Sequence, residues 1–406
     1  MFNLLPVSFD DSLKCFLVFA FGLILMVSTA RRLRIEASLA VVFYLWHTLF
    51  CFGYVYFTIV NGADAQFYYS ESFLSNVTFD LSSKGIVYLT SFFTQYLEFS
   101  FLAVNLVFNI AGAIGMLFFY VTLVEFLPRY SGTKPQGYSQ IQMKAAIVVL
   151  LPSVSFWSSA LGKDSLSMLS VSLFVWSLHK FGTRRLALGA ALLLMVFIRS
   201  HIAVAFVSAI MIMSAFNFRK NLISSIAIGV VGAGAAVLIA PIFLGLLQLD
   251  SLNSSDVADF IGKRQDLELG NSYIAISEMS LPFQMFTYLF RPVVFESANG
   301  LQFINSLENT VHLLFFVQIV YLLLSNKVNW RDINIGILLY ALIVLFMLAS
   351  TTTNIGIAVR QKWMIMPALY AIIFTLHNCA LVRRISSHPR FSVQPVPALD
   401  RIQWRN

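Results

Sequence analysis

Residues 99–126 read FSFLAVNLVFNIAGAIGMLFFYVTLVEF and contain a single charged side chain, that of Glu125. About 20 apolar residues are enough to cross the hydrocarbon core of a bilayer, so this stretch predicts a transmembrane helix. Residues 13–30 and 37–60 have the same character. Across all 406 residues, 58% are hydrophobic and only 11% are charged. This composition is typical of an integral membrane protein and not of a water-soluble domain.

The apolar stretches predict an all-α, polytopic bundle of about eleven transmembrane helices. They lie near residues 13–30, 37–60, 99–126, 145–161, 165–181, 185–199, 202–217, 222–247, 309–325, 333–350 and 363–382. Threaded in this way, most Lys and Arg residues fall in loops on one side, which the positive-inside rule assigns to the cytoplasm. The N-terminus is then outside and the C-terminus inside. We expect one membrane domain over residues 1–384 and a flexible cytoplasmic tail over residues 385–406.

The net charge of +8 at pH 7 is explained by these loops, so it does not indicate a nucleic-acid partner. The three cysteines lie in or beside predicted spans without the spacing of metal ligands, and they indicate neither a disulfide framework nor a metal site. Two outer segments mix aromatic and polar residues. We expect residues 83–98 to form a helix in the membrane interface, and residues 281–299 to form a second interfacial or re-entrant element.

The first group of candidate residues is NGADAQFYY at positions 61–69, where the second span reaches the outer side. A carboxylate at Asp64 would contact both water and lipid headgroups, and partial desolvation would raise its pKa toward the range of a general base. The alternative is that Asp64 only caps the helix that follows.

This Gly-Ala-Asp-Ala sequence, followed by Tyr68 and Tyr69 in the first outer loop, resembles the polytopic glycosyltransferases of the GT-C superfamily. The resemblance implies a GT-C-like fold and a catalytic Asp or Glu in this loop. By this resemblance Asp64 would deprotonate an acceptor hydroxyl while a polyprenyl phosphate or pyrophosphate leaves the donor sugar, with the two tyrosines in support.

The second group is PSVSFWSSALGKD at positions 152–164. It resembles a pattern found in membrane proteins of bacterial surface-polysaccharide gene clusters. Lys163 offers a point charge for a phosphate, Asp164 could orient that lysine or begin the next helix, and Trp157 could cover a sugar face. The alternative is a salt-bridged hairpin with an interfacial Trp anchor.

Three further groups place charge on the outer side against the usual bias. Arg199 suits a bidentate phosphate contact and His201 a proton relay, although such a histidine is more often structural. Arg291 and Glu296, near Asn299 and Glu308, form the next group. The last is Arg360 and Lys362, in a stretch that resembles the arginine-rich loop of Wzy-type polymerases; in the alternative these two cations snorkel to the headgroups.

The resemblances carried by these residues imply a membrane glycosyltransferase that uses a polyprenyl-linked sugar donor and a glycan or lipid-linked acceptor outside a bacterial cytoplasmic membrane. Lys163, Arg199, Arg291, Arg360 and Lys362 would bind the donor phosphate. A Wzy-like polymerase of lipid-linked repeat units and a non-enzymatic carrier of the same lipids are the alternatives. The chain lacks the paired acidic motif of better-known GT-C enzymes, so a divalent metal is not indicated. Membrane lipids and polysaccharide-assembly proteins are the expected partners.

Overall fold

The computed structural model describes residues 8–74, 76–127, 138–217, 234, 254–265, 272–297, 299–325, 328 and 332–386. Its regular elements are helices, and within these ranges the one β contact is an isolated bridge between Tyr273 and Asn354. The α-helices are α1 (Phe9–Leu33), α2 (Ala37–Asn61), α3 (Asp64–Glu71), α4 (Ser83–Ser91), α5 (Phe101–Val124), α6 (Tyr138–Val149), α7 (Pro152–Ser158), α8 (Lys163–His179), α9 (Arg185–Ile198), α10 (Ser200–Asn217), α11 (Ser254–Gln265), α12 (Leu281–Phe290), α13 (Gly300–Leu324), α14 (Ile335–Ala349), α15 (Ile355–Gln361) and α16 (Met366–Ser386). The all-α prediction is confirmed.

Five of these helices are long and apolar enough to cross a membrane, namely α1, α2, α5, α13 and α16. A sixth crossing results if α6 and α7, which meet at a bend of 46°, form one broken span. Both ends of α1 are stabilised by local interactions. Ser8 caps the N-terminus by accepting a hydrogen bond from the Asp11 backbone N–H, and the positive charges of Arg31 and Arg32 in the last turn interact favourably with the helix dipole. The protein is therefore a multi-pass helical membrane protein.

The prediction of eleven full spans is wrong for the described part of the chain. The helices α9 and α14, and the apolar part of α10 over Ser200–Ser214, are apolar but fall among the shorter helices of 10–17 residues. At 1.5 Å per residue, a 15-residue helix reaches only about 22 Å, less than the ~30 Å of the hydrocarbon core. The predicted span 165–181 forms α8, which contains five buried serines. The predicted span 222–247 lies outside the described residues except for Gly234.

Residues 1–121 and 149–203 form one compact unit, called unit 1 here. Its main apolar core joins buried residues of α2, α3, α4, α5, the turn before α8, α8 and α9. The helices α8 and α9 pack as a close pair, in which the Ser170 hydroxyl donates to the Ala191 carbonyl over 2.7 Å. Small residues permit the close approach of α5 and α8, since a Cβ added at Gly115 would lie 2.7 Å from the Leu169 nitrogen.

Residues 122–148 and 204–406 form the second compact unit, unit 2. In it α16 packs against α13 and α14, around the fully buried rings of Tyr340 and Tyr370. Asn378 on α16 donates to the Leu123 carbonyl over 3.0 Å. The single membrane domain over residues 1–384 stays a prediction, and the predicted tail lies outside the described residues beyond Ser386.

The two predicted interfacial segments are helical. Residues 83–98 form α4 and a π-helical turn over Phe92–Tyr96, with Ile86 buried and Tyr88, Phe92 and Tyr96 exposed. Residues 281–299 form α12 and a 3-10 turn over Val294–Glu296. Their location in the membrane interface stays a prediction. The three cysteines Cys15, Cys51 and Cys379 are all free thiols and all buried.

Candidate functional site

The helix α3 begins at Asp64, and the side chain of Asp64 is exposed. The N-cap position belongs to Ala63, which makes no side-chain capping bond. Asp64 is therefore the first residue of the helix and not its cap, although its negative charge in the first turn favours the helix dipole. An exposed carboxylate at this place is accessible to an acceptor hydroxyl, and its role as a base stays a prediction.

The aromatic residues near Asp64 hold α3 in the core of unit 1. Tyr68 and Tyr69 are both buried, and the Tyr69 hydroxyl donates to the Phe99 carbonyl over 3.2 Å. Burial raises the pKa of the Tyr69 phenol to about 12, and the negative charge of Asp11 acts in the same direction. Trp157 is half-buried, and its ring centroid lies 6.1 Å from that of Tyr54. These side chains pack in or against the core of unit 1, part of the Trp157 surface is accessible, and their roles in substrate binding stay predictions.

The two predicted phosphate-binding cations of unit 1, Lys163 and Arg199, both make contacts at the start of α8. An Nη2 atom of Arg199 lies 2.7 Å from a carboxylate oxygen of Asp164, and the side chains are only 9% and 11% exposed. The Lys163 amine donates to the Ser82 hydroxyl over 2.9 Å. The Ser82 N–H in turn donates to the Phe197 carbonyl over 2.8 Å. Three stretches that are far apart in sequence, near residues 82, 163 and 198, thus meet at one place.

This arrangement leaves hydrogen-bonding capacity on Arg199. Its Nε is buried and has no hydrogen-bond partner within the part of the chain that the structure describes. The neighbouring His201 is half-buried in the first turn of α10, and its proton relay stays a prediction. The ion pair of Asp164 with Arg199 joins the first turn of α8 to the residue that ends α9.

In unit 2, Arg291 and Glu296 form a forked ion pair. Arg291 Nη2 lies 2.6 Å from Glu296 Oε1, and Arg291 Nε lies 2.9 and 3.0 Å from the two carboxylate oxygens. The Val293 N–H also donates to Glu296 Oε2. Burial by itself would raise the pKa of Glu296, but the hydrogen bonds from Arg291 and Val293 outweigh it and lower that pKa. Arg291, which the sequence predicted to bind phosphate, is therefore already paired with a carboxylate.

Lys362 lies deep inside unit 2, with 1% of its surface exposed. Its amine donates to the Asn309 side-chain oxygen, and the Asn309 amide donates to the Pro292 carbonyl over 2.9 Å. Burial lowers the pKa of Lys362 to about 8, and the negative charge of Glu308 opposes that shift. Snorkelling to the headgroups is thus wrong for Lys362. Arg360 is half-buried, and both of its alternatives stay open.

Several buried polar residues near these positions were not predicted from the sequence. In unit 2 they include His312, whose Nδ1 lies 2.6 Å from the Tyr370 hydroxyl. In unit 1 they are His47, Asn105 and Asn109, all fully buried within long helices. Each could have been found in the sequence as a polar side chain inside an apolar run. Burying such a side chain in a membrane costs free energy unless it is hydrogen-bonded.

No protein-family model matches the chain, and searches of curated proteins and of solved structures found no significant similarity. Among the described residues, no three His, Cys, Asp or Glu side chains come together in a way that could hold a metal ion.

Proposed function

We propose that this protein is a membrane glycosyltransferase that transfers a sugar or oligosaccharide from a polyprenyl phosphate or pyrophosphate to a glycan or lipid-linked acceptor. The main support is the convergence within unit 1 of three predicted groups. Ala65, Leu161 and Ile198 lie within two residues of Asp64, Lys163 and Arg199 respectively and are all buried in one apolar core, against which Trp157 itself packs. Separate stretches with the residue types needed for one reaction therefore lie on one scaffold.

The proposed chemistry assigns a role to each group. The acceptor hydroxyl oxygen attacks the anomeric carbon, Asp64 takes the hydroxyl proton, and the bond from the anomeric carbon to the phosphate oxygen breaks. The lipid phosphate leaves with the electron pair of that bond. Lys163 and Arg199 stabilise the negative charge of the leaving phosphate, and the buried Arg199 Nε offers a further hydrogen-bond donor. A preorganised donor of this kind can lower a barrier by about 3 kcal/mol.

The proposal includes a GT-C-like layout in a bacterial cytoplasmic membrane, with the N-terminus outside, the C-terminus inside and Asp64 on the outer side. The basic loops support this orientation through the positive-inside rule. The aromatic row of Tyr88, Phe92 and Tyr96 would lie at the headgroup level, beside the lipid carrier.

Two observations in unit 2 favour the alternatives. The forked pair of Arg291 with Glu296 and the half-buried Arg360 both belong to unit 2, and they suit a Wzy-like polymerase in which the arginine loops are essential. The buried ionisable residues Lys362, Glu308 and His312 suit a carrier that couples lipid movement to protons, since such residues often line transport pathways.

The decisive experiment uses purified protein in lipid nanodiscs with lipid-linked saccharides from the host. Glycan transfer is compared for the wild type, Asp64→Asn and Glu71→Gln, the last being a control that removes a carboxylate at the other end of α3. Loss of transfer in Asp64→Asn alone, with lipid binding retained, supports the proposal. Equal transfer by all three proteins contradicts the role of Asp64. Lipid movement without any transfer by the wild type would favour the carrier.

A further inference from the structure

One face of α5 carries three residues that contact either the turn before α8 or the histidine that bonds this turn. Asn105, Asn109 and Gly112 are spaced at i, i+4 and i+7, which places them on the same side of the helix. Both asparagines are 0% exposed. The turn that they face begins at Ser158, the last residue of α7, and ends at Lys163.

Asn105 holds the backbone of this turn directly. Its side-chain oxygen accepts a hydrogen bond from the Leu161 N–H over 2.9 Å, and its amide donates to the Phe101 carbonyl over 2.7 Å. Leu161 is two residues before Lys163. The position of the lysine is thus fixed to α5 through one backbone hydrogen bond.

Asn109 acts on the same turn through a histidine. Its oxygen lies 2.6 Å from His47 Nδ1, and its amide donates to the Thr48 hydroxyl over 2.9 Å. The Asn109 side-chain oxygen can only accept, so it accepts the proton of His47 Nδ1. The other ring nitrogen of His47 lies 3.0 Å from the Ser158 hydroxyl, whose single proton is shared between that nitrogen and the Val154 carbonyl oxygen at 2.6 Å. The end of α7 is therefore tied to both α2 and α5.

Gly112 completes the face by permitting direct backbone contact. A Cβ at this position would lie 2.0 Å from the Ser158 carbonyl oxygen and 2.7 Å from the His47 ring. Any larger side chain would push the turn away from α5. The contact leaves no tolerance for displacement at Ser158.

We propose that this face of α5, together with His47, is a positioning site that places the Lys163 amine for the lipid phosphate and the Asp164 carboxylate for its pairing with Arg199. Apolar packing would hold two helices together without the desolvation cost of buried amides and an imidazole. A hydrogen-bonded network adds a defined position to that packing, which a charge-neutralising site needs. This inference rests on the proposed function of the same unit, and it adds residues that do not themselves contact the substrate.

The first test measures the turn itself and needs no activity. Hydrogen exchange of backbone amides over residues 158–164 is compared for the wild type, Asn105→Leu and Asn378→Leu. The last variant is the control, because it removes another buried amide that bonds a backbone carbonyl in unit 2. We expect exchange in this peptide to accelerate at least about fivefold in Asn105→Leu alone. Unchanged exchange in Asn105→Leu would overturn the proposal.

The second test measures the consequence for the lipid phosphate. In Asn105→Leu we expect the KM for the polyprenyl-linked donor to rise at least about tenfold, and this effect to fall below about twofold in a Lys163→Met background. A purely structural role would give the same factor in both backgrounds. Gly112→Ala should act like Asn105→Leu, whereas Gly189→Ala should not, because a Cβ at Gly189 meets nothing within 4 Å.

The outcomes separate the two proposals. If the wild type transfers no sugar, the proposed function fails, and the affinity for polyprenyl phosphate in nanodiscs replaces KM in the same comparison. Faster exchange of the turn with the donor KM or affinity unchanged would overturn the positioning role while leaving the transfer reaction intact. If Gly112→Ala does not fold, Asn105→Leu alone decides.

Discussion

The two units each contain an arginine–carboxylate pair, and the pairs differ in how they are built. In unit 1, Arg199 and Asp164 are separated by 35 residues and are 9% and 11% exposed. In unit 2, Arg291 and Glu296 are separated by five residues and are 23% and 32% exposed. The first pair exists only when α8 and α9 have packed, whereas the second can form within one loop. Loss of a partner should therefore disturb unit 1 far more than unit 2.

The largest effect is expected for Asp164→Asn, which leaves the Arg199 charge buried without its partner. Breaking a buried ion pair from one side costs about 3–5 kcal/mol. The free energy of unfolding is measured in detergent, with the protein unfolded by urea or by heat. A loss below about 1 kcal/mol would show that the pair behaves like a surface one, and the contrast between the units would fail.

A double variant distinguishes stability from function in the same pair. Replacing both residues, as in Asp164→Leu with Arg199→Met, removes both buried charges, and such replacements are often neutral or stabilising. We expect the double variant to unfold near the wild-type midpoint but to lose transfer. Full transfer by the double variant would reduce Arg199 and Asp164 to structural residues.

The next effect is a pH dependence that arises from Lys362 in unit 2. Its pKa in the folded protein is about 8, against an ordinary value of 10.5. Between these values the unfolded chain binds more protons, so the stability of the wild type should rise as pH increases from about 8 to 10.5, by on the order of 3 kcal/mol. Unfolding midpoints of the wild type and Lys362→Met are compared across this range, and a rise of equal size in both proteins would contradict the assignment.

A smaller effect on stability is expected for the partly exposed pair of Arg291 and Glu296. Arg291→Ala should lower the free energy of unfolding by no more than about 1 kcal/mol, since partly exposed ion pairs are worth little. Glu296→Gln is the matched control, because it removes the opposite charge at the same place. If Arg291 binds lipid phosphate, transfer should fall in Arg291→Ala and not in Glu296→Gln. A stability loss as large as that of Asp164→Asn would remove the difference between the two pairs.

The smallest change in stability is expected for Asp64→Asn. Its side chain is exposed at the first position of α3, and surface substitutions usually stay within about 0.5 kcal/mol. Thermal unfolding measures this directly. A loss above about 2 kcal/mol would mean that Asp64 supports the fold, and its loss of transfer would then not identify a base.

The sequence predicted what depends on composition and local pattern. The long apolar runs predicted α1, α2, α5 and α16 with ends close to the observed ones, and the aromatic and polar mixture predicted a helix over residues 83–98. The number of crossings was wrong because hydrophobicity does not report helix length. The serine-rich α8 is apolar enough to be counted as a span, yet it ends after 17 residues.

The candidate site was predictable residue by residue but not as an arrangement. Lys163, Asp164 and Arg199 were identified from charge in apolar surroundings, whereas the contact of Lys163 with Ser82 depends on the packing of α4 against α9. The burial of Lys362 could not be predicted either, because its acceptor Asn309 lies on α13. Long-range pairing of this kind is a property of the packed helices and leaves no periodic signal in the chain.

The burial of the three native thiols makes the protein suited to chemical labelling. Cys15, Cys51 and Cys379 are at most 8% exposed, so a membrane-impermeant maleimide should react slowly with the intact protein. A single cysteine introduced at exposed Asn61 or exposed Gly182 would then give a readout of its own side of the membrane in whole cells. The three native cysteines could stay in place, and the accessible side of each loop could be mapped in their presence.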